Sequence, residues 1–300
     1  MKVGESMNNV SIIVLNYNDY KETQKCIDKL IEFGVEERIV IVDNKSTNES
    51  FEILKKIYYN NKDIDVIRTE KNGGYSYGNN YGMKFSIKKY PNVQYFCIMN
   101  PDVLIMNKNI FDNLVSKIEK NDTISAISPV MLPNGKYNSK SICWDIPTEK
   151  KIYYNHIMFL KNQERKQVIK VDENYLAKVE VIPGSFFVIK RKDIEEIGWL
   201  DENSFLYNEE NILANKLRLA NKSVALSMDD YYCHNHKKSD EKIGLKKKLK
   251  INKIGYNSRK YLCEKFHSKK ALKKLEIVNI LNIMYIYVST FIKRLDWRKK

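Results

Sequence analysis

The sequence predicts an α/β fold: a mostly parallel sheet covered by helices on both faces. Three observations carry this. Short β-branched runs alternate with helix-spaced segments through the first 130 residues. Four of those runs end in polar, hydrogen-bonding residues, as strands converging on one sheet edge do. The chain has 300 residues, 43% hydrophobic and 30% charged, enough to bury a sizeable core.

The elements follow in order. VSIIVLN (10–16) has the β-branched density of a buried strand, and residues 20–33 place Cys26, Ile27, Leu30 and Ile31 at helical spacing. RIVIVDN (38–44) is a second strand, 50–59 a helix, 63–69 a third strand and 78–89 a helix. QYFCIMN (94–100) is a fourth strand, 107–120 a helix and 124–132 a strand. The pattern weakens over 133–175, read as irregular strands and loop. KVEVIPGSFFVIK (178–190) reads as strand around a Pro-Gly break, 191–197 as a short helix closed by Gly198, 209–221 as helix and 222–228 as strand. Two long helical patterns follow Ser239, with a break near His267.

Composition sets bounds. Five scattered cysteines without a C-x-x-C pair disfavour a zinc knuckle or redox motif and predict reduced thiols in a cytosolic chain. Residues 1–9 lack an apolar signal region, and no run reaches about 20 apolar residues, so secretion and a multispanning fold are disfavoured. Net charge is +15, but residues 240–300 carry 18 Lys/Arg against 5 Asp/Glu, a net +13, leaving +2 for 1–239. The expected organisation is a near-neutral domain over 1–239 and a basic helical extension over 240–300.

Candidate site residues lie at the strand ends: Asn16-Tyr17-Asn18, Asp43-Asn44, Asn72-Gly73-Gly74 and Asn100-Pro101-Asp102. No glycine-rich dinucleotide fingerprint follows the first strand, and there is no P-loop. Pro101 ends its strand, and Asp102 beyond it suits a hard cation on a diphosphate; alone, the tripeptide is also an ordinary turn. The Gly/Asn-rich run 72–82 opens a helix, where backbone N–H groups favour anions, although many strand-to-helix connections look the same. Glu209-Glu210 sits at a helix start behind an aromatic run. Acids there suit the helix dipole, and a partly desolvated carboxylate also makes a general base. His234-Asn235-His236 offers metal or phosphate contacts, with a structural histidine as the plain alternative.

In order, the segments VSIIVLNYN (10–18), IVIVDNKSTN (39–48), NGGYSYGNNYG (72–82), IMNPDV (98–103), IPGSFFVIKR (182–191), IGWLDENSFLYNEEN (197–211) and HNHKKS (234–239) resemble family 2 glycosyltransferases of the GT-A fold, in the rhamnosyltransferase-like branch. The likeness covers about 10–240. It implies a GT-A, Rossmann-like sheet and an inverting, metal-dependent transfer from a nucleotide-sugar, dTDP- or UDP-linked, with rhamnose as the branch's sugar and galactose, N-acetylglucosamine and glucose as the alternatives. Asn16, Tyr17, Asp43, Asn72, Gly73, Asn79, Asn100 and Asp102 would bind the donor, with Tyr17 and Asp43 at the base. Asp102 and His234 would hold Mg²⁺ or Mn²⁺. Gly184 and Ser185 would belong to the acceptor side or its loop. Glu210 stands where the family's usual Glu-Asp pair has its Asp and would be the base, with Glu209 second; Ile212 and Lys216 depart from the family's Asp and Arg. The acceptor would be a saccharide or lipid-linked oligosaccharide in bacterial-type surface polysaccharide synthesis. A sugar nucleotidyltransferase would want a G-x-G-T-R-type loop, which is absent. A non-enzymatic nucleotide-sugar-binding module would not need Asp102 and both glutamates.

In the extension, IVNILNIMYIYVSTFI (277–292) is mostly apolar and flanked by Lys269, Lys270, Lys273, Lys274, Lys293 and Arg294. That pattern predicts an in-plane anchor on anionic lipid, placing the protein on the inner face of the cytoplasmic membrane. Docking on the body or a homodimer contact is the alternative. Nucleic acid is disfavoured, because no reader fold or basic-aromatic interleaving is evident.

Overall fold

A computed structural model describes residues 9–138, 142–157, 169–235 and 244–298, with side chains described to 292. The element order is β1 (Val10–Asn16), α1 (Tyr20–Glu32), β2 (Arg38–Asp43), α2 (Ser50–Ile57), β3 (Ile64–Arg68), α3 (Tyr75–Lys89), β4 (Tyr95–Met99), β5 (Val103–Ile105), α4 (Ile110–Glu119) and β6 (Ile124–Pro133). After these come α5 (Glu149–Tyr154), β7 (Leu176–Val179), β8 (Phe186–Lys190), α6 (Arg191–Glu196), α7 (Glu209–Leu219), β9 (Ser223–His234), α8 (Leu245–Phe266) and α9 (Lys269–Arg298).

One sheet runs β3-β2-β1-β4-β8-β6-β9-β5, with β7 also on β9. The pairs β3-β2, β2-β1 and β1-β4 are parallel; β8 runs antiparallel between β4 and β6. β6 therefore points the same way as β4, and β9 pairs with it in parallel. The parallel half brings the ends of β1, β2 and β4 to one edge, because Asn16 pairs with Asp43 and Val14 with Met99.

Alternation along β1 and β2 fills both faces. Ile12, Val14, Ile39 and Ile41 pack with Ile27, Leu30, Leu54 and Leu114 of α1, α2 and α4. Ile13, Val40 and Val42 pack with Met83, Ile194 and Leu217 of α3, α6 and α7. Each strand side chain faces a helix, so these strands read as continuous apolar runs.

The structure differs from the sequence reading in several places. β5, of three residues, lies between the fourth strand and the following helix, where no element was expected, and α5 forms within the weak stretch. β9 extends to His234, well past Met228, across a register shift near Pro129 and Val130. α3 starts at Tyr75, three residues early. α9 is continuous, and its segment Lys269–Ile292, which contains the 16-residue apolar run, is long and apolar enough to cross a membrane by length and composition alone.

The extension also packs on the body. Ile152 of α5 and Ile212 of α7 share a small core with Leu262 and Cys263 of α8 and Ala271 and Leu275 of α9. Polar contacts reinforce it: Asn252 Nδ2 donates to Asn279 Oδ1 at 2.9 Å, His156 Nε2 lies 3.1 Å from the same oxygen, and Asn282 donates to the His156 carbonyl. The opposite face of α9 is solvent-facing and apolar, through Ile277, Ile280, Leu281, Met284, Val288 and Phe291.

Leu275 is wholly buried in that small core. Leu275→Ala should cost about 2–5 kcal/mol and lower the midpoint of one cooperative denaturation transition. An unchanged main transition would show that the extension folds apart from the body.

Candidate active site

The donor edge rests on a buried polar cluster. Asn16 donates to Asp43 Oδ1 at 2.9 Å and Ser46 Oγ at 3.2 Å, and accepts from the Thr23 hydroxyl at 2.9 Å. Asp43 Oδ2 takes the Ser46 N–H at 3.0 Å and lies 3.3 Å from Arg68 Nε. Asn16 and Asp43 are fully buried, so they shape the loop beneath the edge rather than present free groups to a ligand. Tyr17, just beyond, is exposed.

Asn44 ties this loop to the next, donating to Asn72 Oδ1 at 3.1 Å and the Gly74 carbonyl at 3.0 Å. Gly74 has φ +89°, and a Cβ there would sit 2.0 Å from the Phe205 carbonyl oxygen. The Tyr75 N–H donates to that same oxygen at 3.1 Å. Only glycine permits this approach, which joins the donor loop to the segment before α7. Asn79, expected to line the donor, is 1% exposed. Its amide bonds back to the Tyr75 carbonyl at 3.0 Å, as helical Asn side chains do, so it braces α3 from inside.

At the end of β4, Asn100 N–H donates to the Ser185 carbonyl at 2.8 Å. Asp102 Oδ1 lies 3.1 Å from His234 Nε2. The pairing of Val103 with His234 sets this contact, so the two unexpected strand segments, β5 and the end of β9, build it together. The donor set, one carboxylate and one imidazole, suits a divalent cation that takes further oxygens from a diphosphate and water. Among the described residues, no three His, Cys, Asp or Glu side chains converge as a complete metal cage. His236 lies outside the described residues.

The segment before α7 is held in an unusual conformation, with Tyr207 at φ +76° and Asn208 at +63°. Glu209 and Glu210 open the helix behind it. Glu210 presses on Gly184: a Cβ there would lie 3.0 Å from the glutamate Cγ and 3.1 Å from Oε1. The Tyr75 hydroxyl donates to the Gly184 carbonyl at 2.5 Å, and Ser185 Oγ lies 2.7 Å from the Tyr232 hydroxyl. Burial raises Glu209 to about 8, and the neighbouring Glu210 charge adds to it. Burial also raises Glu210, against a hydrogen bond from the Gly184 backbone.

A cleft of about 830 Å³ gathers Asn100, Gly184, Ser185, Glu209, Glu210 and His234. Asn16, Tyr17, Asp43, Asn72, Gly73, Asn79 and Asp102 lie outside its lining, and Asp102 reaches it only through its contact with His234. Tyr75, Trp144 and Arg259 also line it and were not singled out from the sequence. Tyr75 stood in the quoted Gly/Asn run; Trp144 stood in the weak stretch 133–175, and Arg259 in a helical pattern as one of many basic residues of the extension.

The family model of glycosyl transferase family 2 matches residues 11–198. The chain belongs to that family. It is 30% identical over 211 residues to the low-salt glycan biosynthesis hexosyltransferase Agl10 of Haloferax volcanii, covering 70% of this chain and 62% of that protein. The chain thus spans under two thirds of the length of this curated relative. Among solved structures, GalNAc-T7 with UDP, GalNAc and Mn²⁺ superposes with TM-score 0.55 at 15% identity, over 76% of this chain and 43% of that one. The mannosyltransferase PcManGT from Pyrobaculum calidifontis, in complex with GDP-Man and Mn²⁺, superposes with TM-score 0.54 at 14% identity, over 97% and 88%. The fold is that of GT-A glycosyltransferases.

The raised carboxyl gives a signed prediction. A glutamate titrates near ~4.3 in the unfolded chain, while folded Glu209 titrates at about 8. Between those values the folded state holds the extra proton, so stability falls as pH rises through the window and levels off above it. Melts at about pH 5 and about pH 8.5 should show a smaller loss for Glu209→Gln than for the native chain. Equal losses would mean the pair is solvated.

Proposed function

We propose that this protein is an inverting glycosyltransferase that moves a hexose from a nucleotide-sugar to a hydroxyl of a saccharide or lipid-linked acceptor. The observation that carries this is the meeting of Glu209, Glu210 and His234 in one cleft, with Asp102 held against the His234 ring. In this reading the acceptor oxygen attacks the anomeric carbon, its proton passes to Glu210, and the bond from that carbon to the diphosphate breaks. A base without a covalent intermediate inverts the centre, by the single displacement that inverting glycosidases use. Burial raises the basicity of Glu210, bringing it nearer to that of a useful base at neutral pH.

Asp102 and His234 would hold Mg²⁺ or Mn²⁺, which supplies positive charge against the leaving diphosphate. Tyr17 supports a stacking role at the base, because it stands exposed at the edge that Asn16 and Asp43 organise. A dTDP- or UDP-linked donor, and rhamnose as the sugar, follow from the sequence resemblance. Surface polysaccharide synthesis follows from the same resemblance and is supported by the glycan-building name of the curated relative.

The docked α9 supports a peripheral position on the cytoplasmic face of the membrane. One face is used by the body, and the apolar outer face with its basic flanks suits anionic lipid.

A melting screen with UDP-, dTDP-, GDP- and CMP-sugars, each with and without Mn²⁺, should give a metal-dependent rise for one nucleotide class. Asp102→Asn should abolish that rise. Glu210→Gln should keep it and lose about 10²–10⁴-fold in turnover. Unchanged turnover would remove Glu210 as base, and no rise with any donor would overturn the transferase reading. In flotation assays the protein should rise with phosphatidylglycerol vesicles and not with phosphatidylcholine, less so at high salt. Ile280→Asp with Phe291→Asp should abolish it; retained flotation would exclude α9 as the anchor.

A further inference from the structure

The large cleft is lined by the glutamates of α7 and also by two cations of α8, Lys248 and Arg259. The Lys248 ammonium donates to Thr290 Oγ1 at 3.1 Å. The Arg259 guanidinium donates to two backbone carbonyls, Gly255 at 3.1 Å and Asn155 at 3.4 Å. Among the described residues no carboxylate pairs with it. Burial works against its charge. A partly buried cation met only by neutral carbonyls is costly unless an anion offsets it. Two carbonyls also leave most of its five N–H donors unused, in the planar fork that matches phosphate and carboxylate.

Arg259 lines a second recess as well, of about 260 Å³, with Trp144, Asn155, Asn208 and Asn211. The Trp144 indole N–H donates to Asn211 Oδ1 at 2.8 Å, which fixes the ring. A fixed aromatic face among amide groups offers an apolar platform and hydrogen-bond partners to one small polar ring. The recess shares Trp144, Asn155, Asn208 and Arg259 with the main cleft, so the guanidinium stands where the two join.

We infer that Arg259 is the recognition point for an oxyanion carried by the acceptor, with the recess at Trp144 receiving the sugar ring beside it. This rests on the transferase reading above. The oxyanion has two sources: the phosphate that joins a saccharide to a lipid, or the carboxylate of an acidic sugar. Arg259 is a binding residue here, with no part in the proton transfer, and its position on α8 makes the basic extension part of acceptor selection.

Calorimetric titrations of the full chain in EDTA, which disfavours diphosphate-type binding at Asp102, test this. Farnesyl phosphate is compared with farnesol, and methyl glucuronide with methyl glucoside. The native chain should bind one anionic probe more tightly than its neutral counterpart, and Arg259→Gln should weaken that probe by about tenfold or more. Arg259→Lys should lose less. The probe that responds identifies the source. Equal binding of charged and neutral probes by the native chain overturns the inference without any variant. So does an Arg259→Gln protein that binds the charged probe as the native chain does. The Mn²⁺-dependent melting rise with a nucleotide-sugar is measured in parallel. If it persists, only the acceptor inference has failed; if it is absent, the transferase reading has failed as well.

Discussion

The contact between Gly74 and the Phe205 carbonyl organises the rest of the site. It is a backbone-to-backbone approach with no room for a Cβ. On one side it reaches, through Asn44, the buried Asn16–Asp43 cluster under the donor edge. On the other it reaches the Tyr207-Asn208 turn and the glutamates. Sugar transfer needs the leaving group and the base on opposite sides of one carbon, at a fixed separation. A joint that involves no flexible side chain is well suited to fixing that separation.

The glutamate pair then shows what burial does in this site. A helix start favours carboxylates, while the apolar surroundings oppose their charge. Burial dominates for both, and mutual repulsion adds to it at Glu209. Glu209, at about 8, therefore keeps its proton at neutral pH, and Glu210 is shifted in the same direction. Asp102, by contrast, stands partly exposed beside His234, in a setting fit for a charged ligand.

Much of this was legible in the chain, and the reasons differ by region. β1, β2 and β4 are covered on both faces, so their apolar runs were unmistakable. The glutamates and Asp102 stood out because family motifs and strand ends agree there. That Asn16, Asp43 and Asn79 are buried was not legible, because a motif names polar residues without saying which ones point inward. β5 was hidden by its three-residue length, and the end of β9 by Asp229-Asp230, which breaks the apolar pattern ahead of Tyr232 and His234. Trp144 and Arg259 were not legible, since each acquires meaning only from chain segments far away in sequence. The basic extension was read as an appendage because charge composition carries no information about its buried face.

That extension also reaches the turn ahead of Glu209 and Glu210. Ser258 of α8 lies 3.0 Å from Ser204 Oγ, accepts from Asn208 Nδ2 at 3.1 Å, and donates to the Tyr207 carbonyl. Tyr207 and Asn208 are the residues whose left-handed backbone leads into the glutamates. Trimming the lysine-rich end to improve handling of the protein, or exchanging it for another anchor, would therefore reach into that turn. Any transplant of specificity between relatives would have to carry α8 together with the sheet domain, as one inherited piece.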